Sequence, residues 1–383
     1  MIRLSLRGLY LLILLILAGC WNSKDIQNLD YATAIGIDYD FEKGEYITHV
    51  QVLNFSNVGR SENVEVGKPV PIWIGKGQGQ TIAESLSSIY ATSQMRIFWG
   101  HVKSIVFTEN LLKEKVEEAY NAVHRFGDVR YNILIYGTKE KLSDIFVQKS
   151  IFNLSPLDTI MFSPEQIYAQ RSSIVPIPGF KFIAQLREPG EPAMLPSLTI
   201  NDTVWKEDKK SKPLLQINGA FFFAGTKMAA WLSEEELAGS RWTQKALKRS
   251  LINIPSEGKP SASLVLIKPH YKVKSGVESG KAWFDIHLKL DATLDELNEN
   301  KSIRTIEEQA AEVVRKEIRS SFKKGLDKKV DVLRLEETLY RTHPKQWHEL
   351  HRNQTFILKQ ESLRHINVKV HLINTGKYKG RIS

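Results

Sequence analysis

The sequence contains a single cysteine, Cys20, among its 383 residues. An intramolecular disulfide is therefore impossible, and a zinc or redox site built from several cysteines is excluded. An apolar run of membrane-spanning length is also missing after residue 20. The sequence therefore predicts no transmembrane helix beyond that point.

The composition is that of a globular protein, with 42% hydrophobic and 25% charged residues and a formal net charge of +10. A basic chain is attracted to anionic lipid headgroups, to wall polymers or to nucleic acid. Zinc-finger spacing, aromatic ribonucleoprotein motifs and basic helices joined to heptads are all missing, so we expect no nucleic-acid partner.

Residues 1–19 have the composition of a secretory signal. Arg3 and Arg7 precede an apolar run at 9–17, and small residues follow. The order Leu17-Ala18-Gly19-Cys20 is what lipoprotein processing requires, so we predict cleavage after residue 19 and a diacylglyceryl group on the Cys20 thiol. N-acylation of the new amino terminus stays open. The alternative is an uncleaved anchor, but the run is shorter than the ~20 residues that span a bilayer.

The order helix, strand, helix, strand before residue 138 suggests a mixed sheet with helices packed on it, and the last segment has successive antiparallel strands followed by helices. We therefore predict an α+β fold with mixed and antiparallel sheets and packed helices. The mature chain is long enough for two or three domains. We place the boundaries of an N-terminal α+β domain at 20–208, a small middle domain at 212–262 and a C-terminal α+β domain at 263–383, with the charged segment 202–212 as the first boundary.

Several elements have clear local signals. Thr81 begins a capping-box sequence and predicts a helix start. The longest helix is predicted at 302–324, with Gly325 as its stop. We also predict a short helical stretch from Trp242 to Ile252, and alternation at 366–373 predicts a closing strand.

The best metal candidate is the group His343, His348, Glu349 and His351. A zinc-protease helix needs H-E-x-x-H, and His348-Glu349-Leu350-His351 is one residue short. We favour a solvated helix end with Trp347 packed inward, and predict no metal and no cofactor. The serine-hydrolase elbow G-x-S-x-G is also missing, so we predict no catalytic residues and a protein that is not an enzyme.

Short segments distributed along the chain suggest a family. They are Cys20-Trp21, Lys24-Asp25-Ile26, Ala34-Ile35-Gly36-Ile37-Asp38, Gly79-Gln80-Thr81, Trp99-Gly100-His101, Ile306-Glu307-Glu308, His343-Pro344-Lys345-Gln346-Trp347 and Thr375-Gly376. In their order, spacing and total length the chain resembles the Ger(x)C family, the lipoprotein C-subunits of spore germinant receptors.

The resemblance implies an α+β protein of three domains at the outer face of the inner spore membrane. It implies two membrane-embedded partner subunits, which together with this one sense nutrients and trigger germination. It supplies no catalytic residues, and only Cys20 is carried over as a functional position, attached to the lipid bilayer. The main alternative is an extracytoplasmic solute-binding lipoprotein, whose two lobes would be similar to each other. A wall-active enzyme is the second alternative.

Overall fold

The computed structural model describes residues 29–53, 70–125, 128–255, 257–352 and 354–374. These residues form a nine-stranded sheet, a four-stranded sheet, a two-stranded hairpin and nine α-helices. The predicted α+β class with mixed and antiparallel sheets is confirmed. The predicted signal peptide and Cys20 lie outside the described residues. None of the helices that the structure describes is both long and apolar enough to cross a bilayer.

The nine-stranded sheet is built from the first two thirds of the chain. Its strands are β1 (Leu29–Asp40), β2 (Glu45–Leu53), β3 (Trp73–Gly79), β4 (Arg96–Phe98), β5 (Ser104–Thr108), β6 (Leu134–Thr138), β7 (Ala193–Asn201), β10 (Leu214–Ala224) and β11 (Lys227–Ser233). Their order is β11-β10-β7-β6-β5-β1-β2-β3, with β4 beside β1. The strands β1, β5, β6 and β7 run parallel, whereas each edge is an antiparallel hairpin. The small hairpin, β8 (Lys206–Glu207) with β9 (Lys210–Ser211), lies in the connection from β7 to β10.

Six helices accompany this sheet. They are α1 (Ile82–Tyr90), α2 (Glu109–Glu114), α3 (Val116–His124), α4 (Leu142–Phe146), α5 (Glu165–Gln170) and α6 (Gly179–Arg187). The apolar faces of α1, α2, α3 and α6 share one core with one side of the sheet. The predicted start of α1 is confirmed. The Thr81 hydroxyl accepts from the Glu84 N–H at 3.1 Å, and the Glu84 carboxylate accepts from the Gln80 N–H at 2.8 Å.

The four-stranded sheet and three helices complete the chain. Their elements are β12 (Ser250–Ile254), β13 (Ala262–Glu278), β14 (Lys281–Leu297), α7 (Ile303–Asp327), α8 (Leu335–Thr342), α9 (Pro344–Leu350) and β15 (Leu363–Asn374). Strands β12, β13 and β14 are antiparallel, and β15 joins β14 in parallel as the predicted closing strand. Because β15 is parallel to β14, the chain must cross over, and the α7–α9 segment provides that crossover.

Two local predictions need correction. The long helix begins after Ser302 as predicted, but it ends at Asp327 instead of at 324. Gly325 lies inside its last turn, where a Cβ would be 2.6 Å from the Val330 carbonyl oxygen, so glycine serves the close return of the chain. The helix predicted from Trp242 to Ile252 is wrong. The chain there forms a 3-10 turn at Ser240–Thr243 and then strand β12.

One continuous hydrophobic core joins the two sheets. It contains Tyr136 of the large sheet, Trp242, Phe284 of the small sheet and Ile318 of α7. The segment 212–262, predicted as a middle domain, supplies β10 and β11 to the large sheet and β12 to the small one. The boundaries 20–208, 212–262 and 263–383 stay predictions.

Candidate functional site

A cleft of ≈ 500 Å³ opens where the α6 region of the large sheet meets helix α8. We call it the junction cleft. One wall carries Val175, Lys181 and Gln244, and the other carries Tyr271 and Arg334. A smaller cavity of ≈ 30 Å³ adjoins it and shares Lys181, Gln244 and Arg334. The junction cleft therefore lies between parts of the chain that are far apart in sequence.

Arg334 connects the two walls of the cleft. It precedes α8 with a left-handed backbone, φ 59°, a conformation that costs a non-glycine residue about 1–2 kcal/mol. Its guanidinium donates to Glu337 at 2.8 Å and also to Glu191, which lies on the turn between α6 and β7. Because Glu191 is a buried acceptor with a second donor in Gln185 at 3.0 Å, this ion pair is largely shielded from solvent.

A second ion pair crosses the same junction at its exposed side. Arg341 of α8 lies 2.8 Å from Glu337 and 3.5 Å from Glu188, the residue that follows α6. Gly190, with φ +75°, brings this turn close to α8, since a Cβ there would lie 2.9 Å from Tyr340 Cβ. The α6–β7 turn and α8 are thus held together by two arginines and by a close backbone approach.

Behind Arg334 lies a buried acidic pair with a histidine partner. Burial, followed by the charge of Glu336, raises the pKa of Asp331 to about 7, although backbone N–H groups oppose the shift. The Glu336 carboxylate lies 3.0 Å from His351 Nε2. Burial alone lowers the pKa of His351, but the hydrogen bond to Glu336 and its charge outweigh burial and raise it. The His351 ring stacks on Trp347 with centroids 3.9 Å apart.

The structure separates the residues of the predicted metal candidate. His343 Nδ1 lies 2.9 Å from the Thr342 hydroxyl, whereas His348 packs edge-on against Trp347 at 5.1 Å. His351 pairs with Glu336, and Glu349 is exposed. Among the residues that the structure describes, no group of three or more His, Cys, Asp or Glu is placed to hold a metal ion. Trp347 is buried, as predicted.

The chemistry of the junction cleft is that of a charged binding surface. Its lining contributes four cations, Lys181, Lys245, Arg334 and Arg341, and one carboxylate, Glu337. Arg334 and Arg341 are already paired with carboxylates of the α6–β7 turn and of α8. Lys181 and Lys245 form no ion pair within the described residues, so these two lysines are the cations that the cleft offers to an acidic group.

A second crevice of ≈ 370 Å³ lies beyond the carboxyl ends of β1, β5 and β6. Open sheets of parallel strands commonly bind ligands at this edge. Several of its polar groups are already engaged. Asp38 accepts from the Thr108 hydroxyl, Glu140 accepts from Thr199 at 2.7 Å, and the Lys139 ammonium lies 3.6 Å from the centroid of the Trp231 ring. These contacts fasten the strand ends, and the junction cleft, at ≈ 500 Å³, is the larger of the two sites.

Sequence reasoning missed Arg334, Glu191 and the Asp331–Glu336 pair. Their partners are distant along the chain, since Arg334 and Glu191 are 143 residues apart. The acidic start of α8, Leu335-Glu336-Glu337, is by itself a common helix-dipole pattern. No local signal in the sequence shows that the Glu336 carboxylate is buried and that the Glu337 carboxylate pairs with Arg334 and Arg341.

The segments that suggested a family are now placed. Residues 34–38 form the buried centre of β1, and 79–81 form the entry to α1. Trp99 is buried in the core beneath α1. Cys20 and the segment 375–376 lie outside the described residues.

Comparison with known proteins covers nearly the whole chain. Residues 22–200 match the family described as "Spore germination protein N-terminal domain", and residues 218–376 match "Spore germination B3/ GerAC like, C-terminal". Spore germination protein KC of Bacillus subtilis (strain 168) is 24% identical over 360 residues, which cover 89% of this chain and 88% of that one. Spore germination protein B3 of the same organism is 21% identical, covering 95% and 96%. Spore germination protein GerQC of Bacillus cereus is 20% identical, covering 94% and 95%.

A solved structure shares the fold. The crystal structure of the GerBC protein superimposes with a TM-score of 0.52 at 16% identity, and covers 91% of this chain and 100% of that one. The fold, the two matched regions and the full-length relatives all agree with the resemblance seen in the sequence. The chain belongs to the Ger(x)C family of spore germination proteins.

Proposed function

We propose that this protein is the lipid-anchored subunit of a spore germinant receptor and is needed for nutrient-triggered germination. One observation carries the proposal. The match to the spore germination N-terminal domain begins at residue 22, directly after the lipoprotein sequence Leu17-Ala18-Gly19-Cys20. The matched domain thus starts where the mature lipoprotein would start. Attachment through Cys20 places the folded chain at the outer face of the inner spore membrane.

The anchor is tested by mass spectrometry of the protein isolated from spore membranes. We expect a mature chain that begins at Cys20 with a diacylglyceryl group on its sulfur. Two acyl chains hold a protein on a bilayer durably, whereas one does not. Cys20→Ala is the matched control, and we expect it to carry no lipid. A wild-type chain with a free Cys20 thiol or an intact Met1 would contradict the proposal.

Assembly with two membrane-embedded subunits is the second part of the proposal. The junction cleft supports it, because Lys181 and Lys245 on its lining form no ion pair within the described residues and suit an acidic partner segment. The protein would act by binding, without catalysis. Its two sheets differ in size and topology, unlike the two similar lobes expected of a solute-binding lipoprotein.

Photo-cross-linking in spore membranes tests the assembly. A photoreactive residue replaces Lys245, which lines the cleft and is exposed. The control position is Lys209, exposed on the β8–β9 hairpin. We expect a cross-link to a polytopic germination protein from position 245 that exceeds the yield from 209. Failure to recover any polytopic protein from either position would count against receptor assembly.

A further inference from the structure

The start of β1 marks the end of the large sheet that is nearest to the proposed anchor. Leu29 follows Cys20 by nine positions. Because an extended chain spans at most about 3.3–3.6 Å per residue, Leu29 lies within about 30 Å of a lipid on Cys20. A lipid on Cys20 therefore keeps the elements around Leu29 within about 30 Å of the bilayer.

Strand register identifies the residues at this end. Arg96 of β4 pairs with Leu29, while Trp73 of β3 pairs with Val52, which in turn pairs with Ala32. The chain enters β5 and β6 at the same level, since the Lys103 N–H donates to the Thr33 carbonyl oxygen and the Leu134 N–H to that of Lys103. Helices α1 and α3 run back from the opposite end of the sheet and terminate here.

Large aromatic side chains are exposed at this end. Trp73 and Tyr131 are each 68% exposed, and Tyr90, the last residue of α1, is 43% exposed. Each is held by the fold. Trp73 begins a strand, Tyr90 packs on Trp99 with centroids 6.5 Å apart, and Tyr131 stacks on His124 at 5.2 Å. Exposed tryptophan and tyrosine on a rigid surface are typical of a membrane interface.

Basic residues surround these aromatics. Arg96, Lys103 and Arg130 are exposed, and none of them forms an ion pair within the described part of the chain. Their positive charge affects the pKa of the neighbouring His101. Burial lowers the pKa of His101, and the charges of Arg130 and Lys103 lower it further. The turn at the opposite end of β1 is acidic instead, since it carries Asp40, Glu42 and Glu45 against a single lysine, Lys43.

We call the surface at the end of the sheet where the chain arrives from Cys20 the tail-side face, and define it as Trp73, Tyr90, Arg96, Lys103, Arg130 and Tyr131. We propose that this face rests on the anionic headgroups of the bilayer and orients the anchored subunit, an inference that rests on the proposed anchoring through Cys20. The basic side chains contact lipid phosphates, and the aromatic rings lie at headgroup level. The acidic turn at the other end of β1 then points away from the negatively charged surface.

The test uses the chain from residue 21, which lacks the lipid but keeps every described element. It is sedimented with vesicles of phosphatidylcholine that contain 30% or no phosphatidylglycerol. One basic residue near an anionic surface contributes about 1 kcal/mol, or about fivefold in the partition coefficient. We therefore expect the triple variant Arg96→Gln, Lys103→Gln, Arg130→Gln to bind the anionic vesicles about 100-fold more weakly than the parent.

A matched control removes three charges from the opposite end. Lys43, Lys76 and Lys141 are exposed there, and their replacement by Gln should leave binding within about fivefold of the parent. Equal losses in both triple variants, or equal binding to vesicles with and without phosphatidylglycerol, would overturn the proposal. The vesicle experiment does not depend on the lipid, because the chain from residue 21 lacks Cys20. An unacylated Cys20 would therefore refute the proposed anchor but would not change the interpretation of vesicle binding.

Orientation is measured with a fluorescent label on an introduced thiol. The chain from residue 21 contains no cysteine, so Met95→Cys supplies a unique thiol beside the tail-side face, where Met95 is 37% exposed. Phe41→Cys, at a residue 48% exposed in the β1–β2 turn, is the control. On anionic vesicles with nitroxide-labelled headgroups, we expect at least twofold stronger quenching at 95 than at 41. Equal quenching, or stronger quenching at 41, would exclude this orientation and favour a protein partner for the face.

Discussion

Gly239→Ala tests the contact that joins the two sheets. Gly239 has φ −74° and ψ −24°, a conformation that alanine adopts freely. In open space this substitution would stabilise the protein by about 0.4–1 kcal/mol, through a less flexible unfolded chain. Here the added Cβ would lie 2.3 Å from the Glu317 carbonyl oxygen and 2.5 Å from Ile318 Cα, both backbone atoms of α7.

The helix backbone cannot yield locally, so α7 or the turn must move. Such overpacking costs about 1–3 kcal/mol. A shift also lengthens the hydrogen bond of 2.8 Å from the Gly239 N–H to the Ser321 hydroxyl, which is worth about 1 kcal/mol. We therefore expect a net loss of about 2–3 kcal/mol in the free energy of unfolding.

Urea unfolding followed by tryptophan fluorescence measures this loss as a lower midpoint. Gly225→Ala is the matched control. At Gly225 a Cβ would meet nothing within 4 Å, but φ is +60°, so only the left-handed backbone opposes alanine, at about 1–2 kcal/mol. An unchanged or higher midpoint for Gly239→Ala would refute the close packing of α7 on this turn.

Three further substitutions test charged groups that are buried or partly buried. Glu317→Ala leaves the Arg241 guanidinium without the two oxygens that it contacts at 2.8 and 2.9 Å, and should cost about 2–4 kcal/mol in urea unfolding; a loss below about 0.5 kcal/mol would show that the pair is solvated. Glu336→Gln removes the charge that raises the pKa of His351, so NMR titration should give a lower pKa than in the wild type, and an unchanged value would argue against their contact. Asp331, with its pKa raised to about 7 from 3.8, binds a proton in the folded state at pH values where the unfolded chain has lost it. The free energy of unfolding should therefore fall as pH rises from about 4 to about 7, and Asp331→Asn should flatten that slope.

Local signals in the sequence predicted the elements that depend on local physics. The Thr81 capping box and the apolar stripe of α7 are properties of neighbouring residues, and both appear in the structure. The helix predicted after Trp242 fails for the opposite reason. The indole N–H of Trp242 donates to Glu317, 75 residues away, at 2.6 Å, and β12 pairs with β13, so tertiary contacts decide this segment.

The junction cleft could not be predicted for a related reason. From the sequence alone, Arg334 is predicted to be an ordinary exposed cation in front of a helix with an acidic first turn. Its role depends on Glu191, which reaches it only because the α6–β7 turn packs on α8. The sequence groups the histidines near the end of α9 as a metal candidate, but the partner of His351 is Glu336 of the preceding helix rather than another histidine.

The shared core constrains how such a subunit would work in a receptor. The tail-side face and the junction cleft belong to a single body, because the hydrophobic core that contains Trp242 and Ile318 runs without a break from one sheet to the other. Relative domain motion is the default expectation unless the interface between the domains is large and hydrophobic, as it is here. If the tail-side face lies on the membrane, the cleft is therefore held at a fixed height and angle above it. A partner that binds the cleft would then be held at a fixed position relative to the bilayer. Weakening the packing at Gly239 would change that position without removing either contact surface.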